Sequence, residues 1–189
     1  MKKISKILFG VIAALVLCVT SINFSEASIK TDQKNAIKAY RSLVQDGSCY
    51  YKIVDINGDK VKDLLLMEKQ NEYNDGGYYK VYTYRNGKLK CLKKFDYARG
   101  GNLYYNTKKH MVIMVRGYHA AHETYVYTAQ KNSLKKTKTF STYRQFVRGN
   151  EKFFYEINNK RVSKSKYLKT LSPLEKSCKK VVSQPYYFL

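Results

Sequence analysis

The segment Tyr79–Phe95, YKVYTYRNGKLKCLKKF, and the segment Thr124–Phe140, TYVYTAQKNSLKKTKTF, align without gaps at an offset of 45 residues. Val81-Tyr82-Thr83 matches Val126-Tyr127-Thr128, and Leu89, Lys90, Lys93 and Phe95 match Leu134, Lys135, Lys138 and Phe140. Each copy joins two runs rich in Tyr, Val, Thr and Phe, the composition of strands. Asn86-Gly87 supplies the two positive-φ residues of a type I′ turn, so the first copy reads as a β-hairpin. Lys131-Asn132 and Asn158-Asn159 read as weaker versions of the same device.

Strand-like runs lie on both sides. They are Cys49–Val54, Asp63–Glu68, Tyr78–Arg85, Lys88–Phe95, Leu103–Asn106, Met111–Arg116, Glu123–Ala129, Ser133–Phe140 and Lys152–Ile157. Each repeated hairpin is preceded by a further strand pair, so the chain contains two four-strand units with a period typical of propeller blades. Two units cannot close a propeller. The expected fold is mainly β: an antiparallel meander of two propeller-blade-like four-strand units, with an N-terminal helix. That helix is expected over Thr31–Asp46, capped by Thr31 or Asp32 and ended by Gly47. Ala36, Ile37, Tyr40, Leu43 and Val44 share one of its faces. After Lys152–Lys166, which reads as another hairpin, Ser165–Lys180 has helical character interrupted by Pro173. Gln184–Leu189 is apolar enough for a terminal strand.

The first 27 residues have the layout of a secretory signal. Lys2, Lys3 and Lys6 precede the apolar run Ile7–Val19, and Ser25-Glu26-Ala27 gives a small-residue exit, with cleavage expected before Ser28. The run is shorter than the roughly 20 residues of a spanning helix, and Leu17 before Cys18 departs from a lipoprotein signal. Residues 28–189 are then a single exported β-rich domain. Losing three Lys and one Glu takes the formal charge from +22 to +20. Such a charge favours anionic partners by long-range attraction. Cys49, Cys91 and Cys178 remain, an odd number; an exported chain can pair two of them, with Cys49–Cys91 the expected bridge.

Between the first two strands stands Asp55-Ile56-Asn57-Gly58-Asp59-Lys60-Val61-Lys62-Asp63. Hard oxygens on alternate residues of a short loop are what calcium requires. The candidate ligands are Asp55, Asn57, Asp59, the Val61 carbonyl and Asp63. An Asx-rich turn held by side-chain-to-backbone hydrogen bonds is the alternative. Lys60 and Lys62 leave the loop a formal charge of only −1, which implies modest affinity. The pattern Asp55-x-Asn57-Gly58-Asp59-x-x-x-Asp63-Leu64 resembles the calcium loop of FG-GAP (integrin-type propeller) modules. It is less similar to an EF-hand, because the twelfth position is Leu66. The helix, the loop, the "YTYRNGKLK" hairpin and the "NNKRVSKSKY" segment together resemble small secreted proteins of clostridia and related Gram-positive bacteria. That resemblance implies export to the cell exterior and a structural calcium ion, and no particular activity.

Two further constellations carry chemistry. Tyr78, Lys80, Tyr82 and Tyr84 share one strand face, which could stack on sugars or bases and attract phosphate. His119, His122 and Glu123, with Arg116 nearby, would serve a hydrolase, nuclease or toxin. Their spacing is not HExxH, and His110 sits at the far end of its strand. The expected function is therefore that of a non-catalytic secreted or surface-associated monomer. It would engage an anionic cell-wall or extracellular polymer, or a protein, through the basic Tyr-rich face.

Overall fold

A computed structural model describes residues 26–44, 50–71, 74–97, 101–118 and 121–181. The segment 1–25, Cys49, His119 and the C-terminal run 182–189 lie outside them. The chain forms helix α1 (26–43) and strands β1 (Tyr50–Val54), β2 (Asp63–Asn71), β3 (Asn74–Arg85) and β4 (Lys88–Tyr97). It continues with β5 (Asn102–Asn106), β6 (Met111–Tyr118), β7 (Ala121–Gln130), β8 (Ser133–Val147), β9 (Asn150–Ile157) and β10 (Lys160–Val162). Helix α2 (Lys164–Lys176) and the two-residue strand β11 (Lys179–Lys180) complete it. Strands β1-β2-β3-β4 make one antiparallel sheet; β10-β9-β8-β7-β6-β5-β11 make a second.

The two units are present, one per sheet, and their hairpins match in detail. In β3–β4, Val81 pairs with Lys93 and Tyr82 with Cys91, which leaves Leu92 as a bulge. In β7–β8, Val126 pairs with Lys138 and Tyr127 with Lys136, which leaves Thr137 as a bulge. Leu92 and Thr137 are equivalent in the repeat. A bulge bends and twists the strand that carries it, so both hairpins are curved at the same place.

The units stack front to back. Leu65, Tyr79, Val81 and Phe95 of the first sheet pack against Leu103, Tyr105, Val112, Met114, Tyr127 and Ala129 of the second. The second sheet's equivalents of Val81 and Phe95 are Val126 and Phe140, and these point away from the first sheet, into a cluster with Tyr167 and Leu171 of α2. The opposite face of the first sheet, with Leu64, Leu66 and Tyr84, is covered by Ala36 and Tyr40 of α1. The order is thus helix, sheet, sheet, helix. Each helix covers the face that a further unit would otherwise cover, as capping elements do in repeat arrays. Central strands are buried on both sides, which explains the unbroken apolar runs Leu64-Leu65-Leu66 and Met111-Val112-Ile113-Met114.

Several expectations shift. Helix α1 already runs through residues 26–31, so Asp32 does not cap it. Its carboxylate instead accepts the N–H groups of Asn86 (2.9 Å) and Gly87 (3.2 Å), tying the helix to the β3–β4 turn. Asn86-Gly87 and Asn158-Asn159 both have positive φ at each residue, as does Arg148-Gly149, whereas Lys131-Asn132 does not. Strand β8 runs seven residues past Phe140, to Val147. Helix α2 starts on Ser163, whose hydroxyl accepts from Lys166 N, and it continues through Pro173. So near the C-terminus a proline forfeits one hydrogen bond of the ladder, while Leu174 just beyond it still packs on the core. The chain then returns as β11, pairing Lys179 and Lys180 with Tyr105 and Tyr104.

Candidate functional site

The loop 55–63 is built by alternation. Asp55 accepts the N–H groups of Gly58 (2.7 Å) and Lys60 (3.0 Å), Asn57 that of Asp59 (3.0 Å), and Asp59 that of Val61 (3.0 Å). Between these polar residues Ile56 plunges into the core between the sheets and Val61 into the core beneath α1. Tyr40 Oη donates to Lys62 O (2.9 Å), and Lys62 N donates to the Gln33 side chain (2.8 Å), so α1 closes the loop from above. Burial among these groups pushes the Tyr40 phenol far up.

His110, on the β5–β6 turn of the second sheet, reaches across to this loop. Its Nδ1 lies 2.8 Å from Ile56 O, and its ring is pressed against Gly58. A Cβ at Gly58 would come within 2.6 Å of His110 Cε1, and Gly58 has φ +77°. Gly58→Ala therefore combines left-handed strain of about 1–2 kcal/mol with a contact that the anchored imidazole cannot simply vacate. Gly87, at φ +73°, has open space around it, so Gly87→Ala carries the strain alone. Urea unfolding is expected to place the Gly58→Ala midpoint clearly below that of Gly87→Ala; equal midpoints would mean that His110 yields freely.

Asp63 is the unusual member. It is 1% exposed; its Oδ2 accepts Ile56 N at 2.9 Å, while Oδ1 is buried without a hydrogen-bond donor of good geometry. The Thr83 hydroxyl lies close enough to favour the charged carboxylate, yet it too closes no well-formed hydrogen bond. Burial, with smaller contributions from Asp59 and Asp55, pushes the Asp63 carboxyl up to about 6. Burial also raises Asp59, opposed by the Val61 N–H and by Arg85, whose guanidinium stands 3.5 Å from Asp59 Oδ2.

Among the described residues no three His, Cys, Asp or Glu side chains converge as a metal-binding group. The donor chemistry nonetheless suits a hard cation. Asp59 and Asp55 both bear on the Asp63 carboxyl, one of whose buried oxygens has no donor of good geometry. Asp55, Asn57, Asp59 and Asp63 would hold the ion, with the Val61 carbonyl. The ion would supply positive charge to the carboxylates and nothing reactive.

The Tyr78–Tyr84 face is divided by α1. Tyr84 is 9% exposed and lies in the helix-covered core, with Tyr82 packed at its margin. Lys80 is ion-paired with Glu68 at 2.6 Å, and Lys94 sits 3.4 Å over the Tyr78 ring. His122 and Glu123 are successive residues of β7 and so point to opposite faces. Glu123 accepts the Tyr125 hydroxyl at 2.6 Å, and burial together with this carboxylate pushes Tyr125 up to about 12. Among the described residues Cys91 and Cys178 are free thiols, both raised by burial.

What sequence reading passed over is the side of the stack where β4 and β8 lie together. Strand β4 is the outer strand of its sheet. Strand β9 pairs with β8 only from Phe140 onward, so 133–138 is also an edge. Lys88, Lys90, Lys93 and Lys94 on one strand, and Lys135, Lys136 and Lys138 on the other, are exposed. Neither 88–95 nor 133–140 contains an acidic residue. Lys90 Nζ donates to Asn132 O at 3.1 Å, which ties β4 to the β7–β8 turn. A cleft of about 260 Å³, lined by residues 136–139 with Asn158 and Asn159, opens where β9 leaves β8. The signal was in the alignment, since Lys90 and Lys93 recur as Lys135 and Lys138. Only the stacking brings β4 and β8 to one side of the molecule. Comparison with protein-family models, with curated proteins and with solved structures finds no match.

Proposed function

We propose that this chain is a non-catalytic, exported binding protein that holds a linear anionic polymer along the lysine-lined edges of β4 and β8, with a calcium ion stapling the loop Asp55–Asp63. The observation that carries the reading is the set of seven exposed lysines on 88–95 and 133–140, two segments without an acidic residue of their own, two of whose lysines recur through the repeat. Alternate residues of a strand are separated by about 6.7 Å, which is the spacing of Lys88 from Lys90, and each edge offers a row of cations to an extended polyanion. Lysine and bulges at an edge also prevent strands of other molecules from pairing there; a polymer read by its charge needs no strand pairing, and the two roles coexist. Lys80 and Tyr78, at the open end of the Tyr-rich face, lie on β3 beside this wall and border it, Lys80 held by Glu68 and Tyr78 covered by Lys94.

Neutralised charges release counterions, so affinity falls as salt rises. On immobilised polyphosphate the protein is expected to elute at high salt, and the variant with Lys90, Lys93, Lys135 and Lys138 all changed to Gln at much lower salt. The slope of log affinity against log salt should become shallower in that variant. An unchanged slope would move the binding surface elsewhere; retention that ignores salt would end the electrostatic reading.

A further inference from the structure

The far end of β8 carries a different surface. Pairing of β7 with β8 stops at Ala121–Tyr143, and pairing of β10 with β9 begins at Tyr155–Val162. Arg144–Phe153, RQFVRGNEKF, is consequently a two-stranded finger that no further strand flanks among the described residues, turned by Arg148-Gly149 at φ 52° and 75°. Arg144 stands opposite Phe153 and Phe146 opposite Glu151, so these four side chains share one face. The same face nearer the body holds Phe140, Tyr155 and Ile157, which lie in the cluster beneath α2. Beyond that cluster, Phe146 is 74% and Phe153 58% exposed.

An isolated two-stranded ribbon is marginal in water, and exposed phenyl rings at its end add nothing to its folding. Large exposed apolar groups rimmed by polar ones mark contact sites. The tip is cationic: Glu151 is engaged by Arg144 at 2.6 Å, and Arg148 is exposed in the turn. Lys152, opposite Gln145, is exposed on the other face of the ribbon, so a finger entering tip-first presents both cations beside the rings. The shape is a convex tip, which can enter a deformable surface more readily than it can enclose another side chain. Facing a second copy would bring Arg148 and Lys152 against their own kind. Phenyl rings between cations match the boundary of an anionic bilayer, where rings sit among the headgroups and Lys or Arg attract anionic lipid.

We propose that the Arg144–Phe153 finger docks on anionic lipid membranes by placing Phe146 and Phe153 at the headgroup boundary, with Arg148 and Lys152 on lipid phosphates. The finger is separate from the lysine wall, about 20 Å along β8 by strand length from Lys138 to Arg144 at about 3.3 Å per residue.

The chain contains no Trp, so Phe146→Trp provides a single reporter. The chain from Ser28 retains every residue of the three cores, the first being Ile29. With phosphatidylcholine vesicles containing phosphatidylglycerol, Trp emission is expected to shift to the blue and to be quenched by brominated acyl chains. Vesicles of phosphatidylcholine alone should leave it nearly unchanged. The double variant Phe146→Ser/Phe153→Ser should keep the wild-type melting temperature and lose about tenfold or more in vesicle binding. Arg148→Glu/Lys152→Glu should lose a comparable factor, while the four-lysine Gln variant should retain the blue shift. An unshifted Trp would overturn the proposal, as would serine variants that bind like the wild type, since binding would then belong to the lysine wall. So would a concentration-dependent blue shift without lipid, which would assign the finger to a second copy.

Discussion

Asp63→Asn is expected to raise the melting temperature of the chelated protein at about pH 7.5 by several degrees, and to abolish any further rise on adding calcium. The buried carboxyl of Asp63 sits at about 6 against an ordinary value of 3.8. For an acid, a raised value means that the folded state holds the proton more tightly than the unfolded chain does. The stability tied to that proton is complete below the unfolded value and is lost as pH rises through about 6. Two pKa units correspond to a penalty on the order of 3 kcal/mol for the ionised form at neutral pH. Asparagine removes that charge, keeps an oxygen to accept Ile56 N, and offers an N–H to the Thr83 hydroxyl.

In the wild type, a bound cation removes the same penalty by a different route, because it stabilises the ionised carboxylate. Calcium should therefore raise the wild-type melting temperature most above pH 6 and progressively less as pH falls toward 4. In calcium the order of the two proteins narrows or reverses. Melting curves with chelator and with calcium at two pH values test both halves. Loss of stability in Asp63→Asn at about pH 7.5 in chelator would mean that the folded protein already compensates the charge. No calcium response in the wild type would remove the ion from the proposed function.

Phe140→Ala should cost about 3–5 kcal/mol, the range for truncating a buried aromatic residue, and should release α2 before the rest of the fold. Phe140 is fully buried and meets Tyr167 of α2 edge-on, with ring centroids 5.7 Å apart at 89°. Tyr167 and Leu171 are the buried residues of that helix, so its attachment depends on few groups. Hydrogen exchange should show the amides of Lys164–Lys176 losing protection ahead of β6 and β7. Phe95→Ala, the same position in the other unit, removes a ring that packs against Tyr127 at 5.1 Å between the sheets. It should lower global stability by a similar amount without singling out α2. Uniform loss of protection in both variants would show that the helix and the sheets unfold as one unit.

Much of this was written locally. Alternation of β-branched and aromatic residues, Asn86-Gly87 and the repeated hairpin are short-range signals, and they determined the strands, the two units and their order. The loop 55–63 was equally legible, because side chains accepting N–H groups two to five residues away need no distant partner. Tertiary structure alone decided which face of each unit became core. Val81 and Val126 are identical in the repeat, yet one meets a sheet and the other a helix, since front-to-back stacking gives equivalent faces different neighbours. For the same reason Tyr84, which local sequence puts on the Tyr-rich binding face, lies beneath α1, and Asp32, which it offers as a helix cap, holds a hairpin turn. The lysine wall and the phenylalanine finger depend on where pairing stops. That is fixed by strand register and layer packing, which bring together residues that local sequence keeps apart.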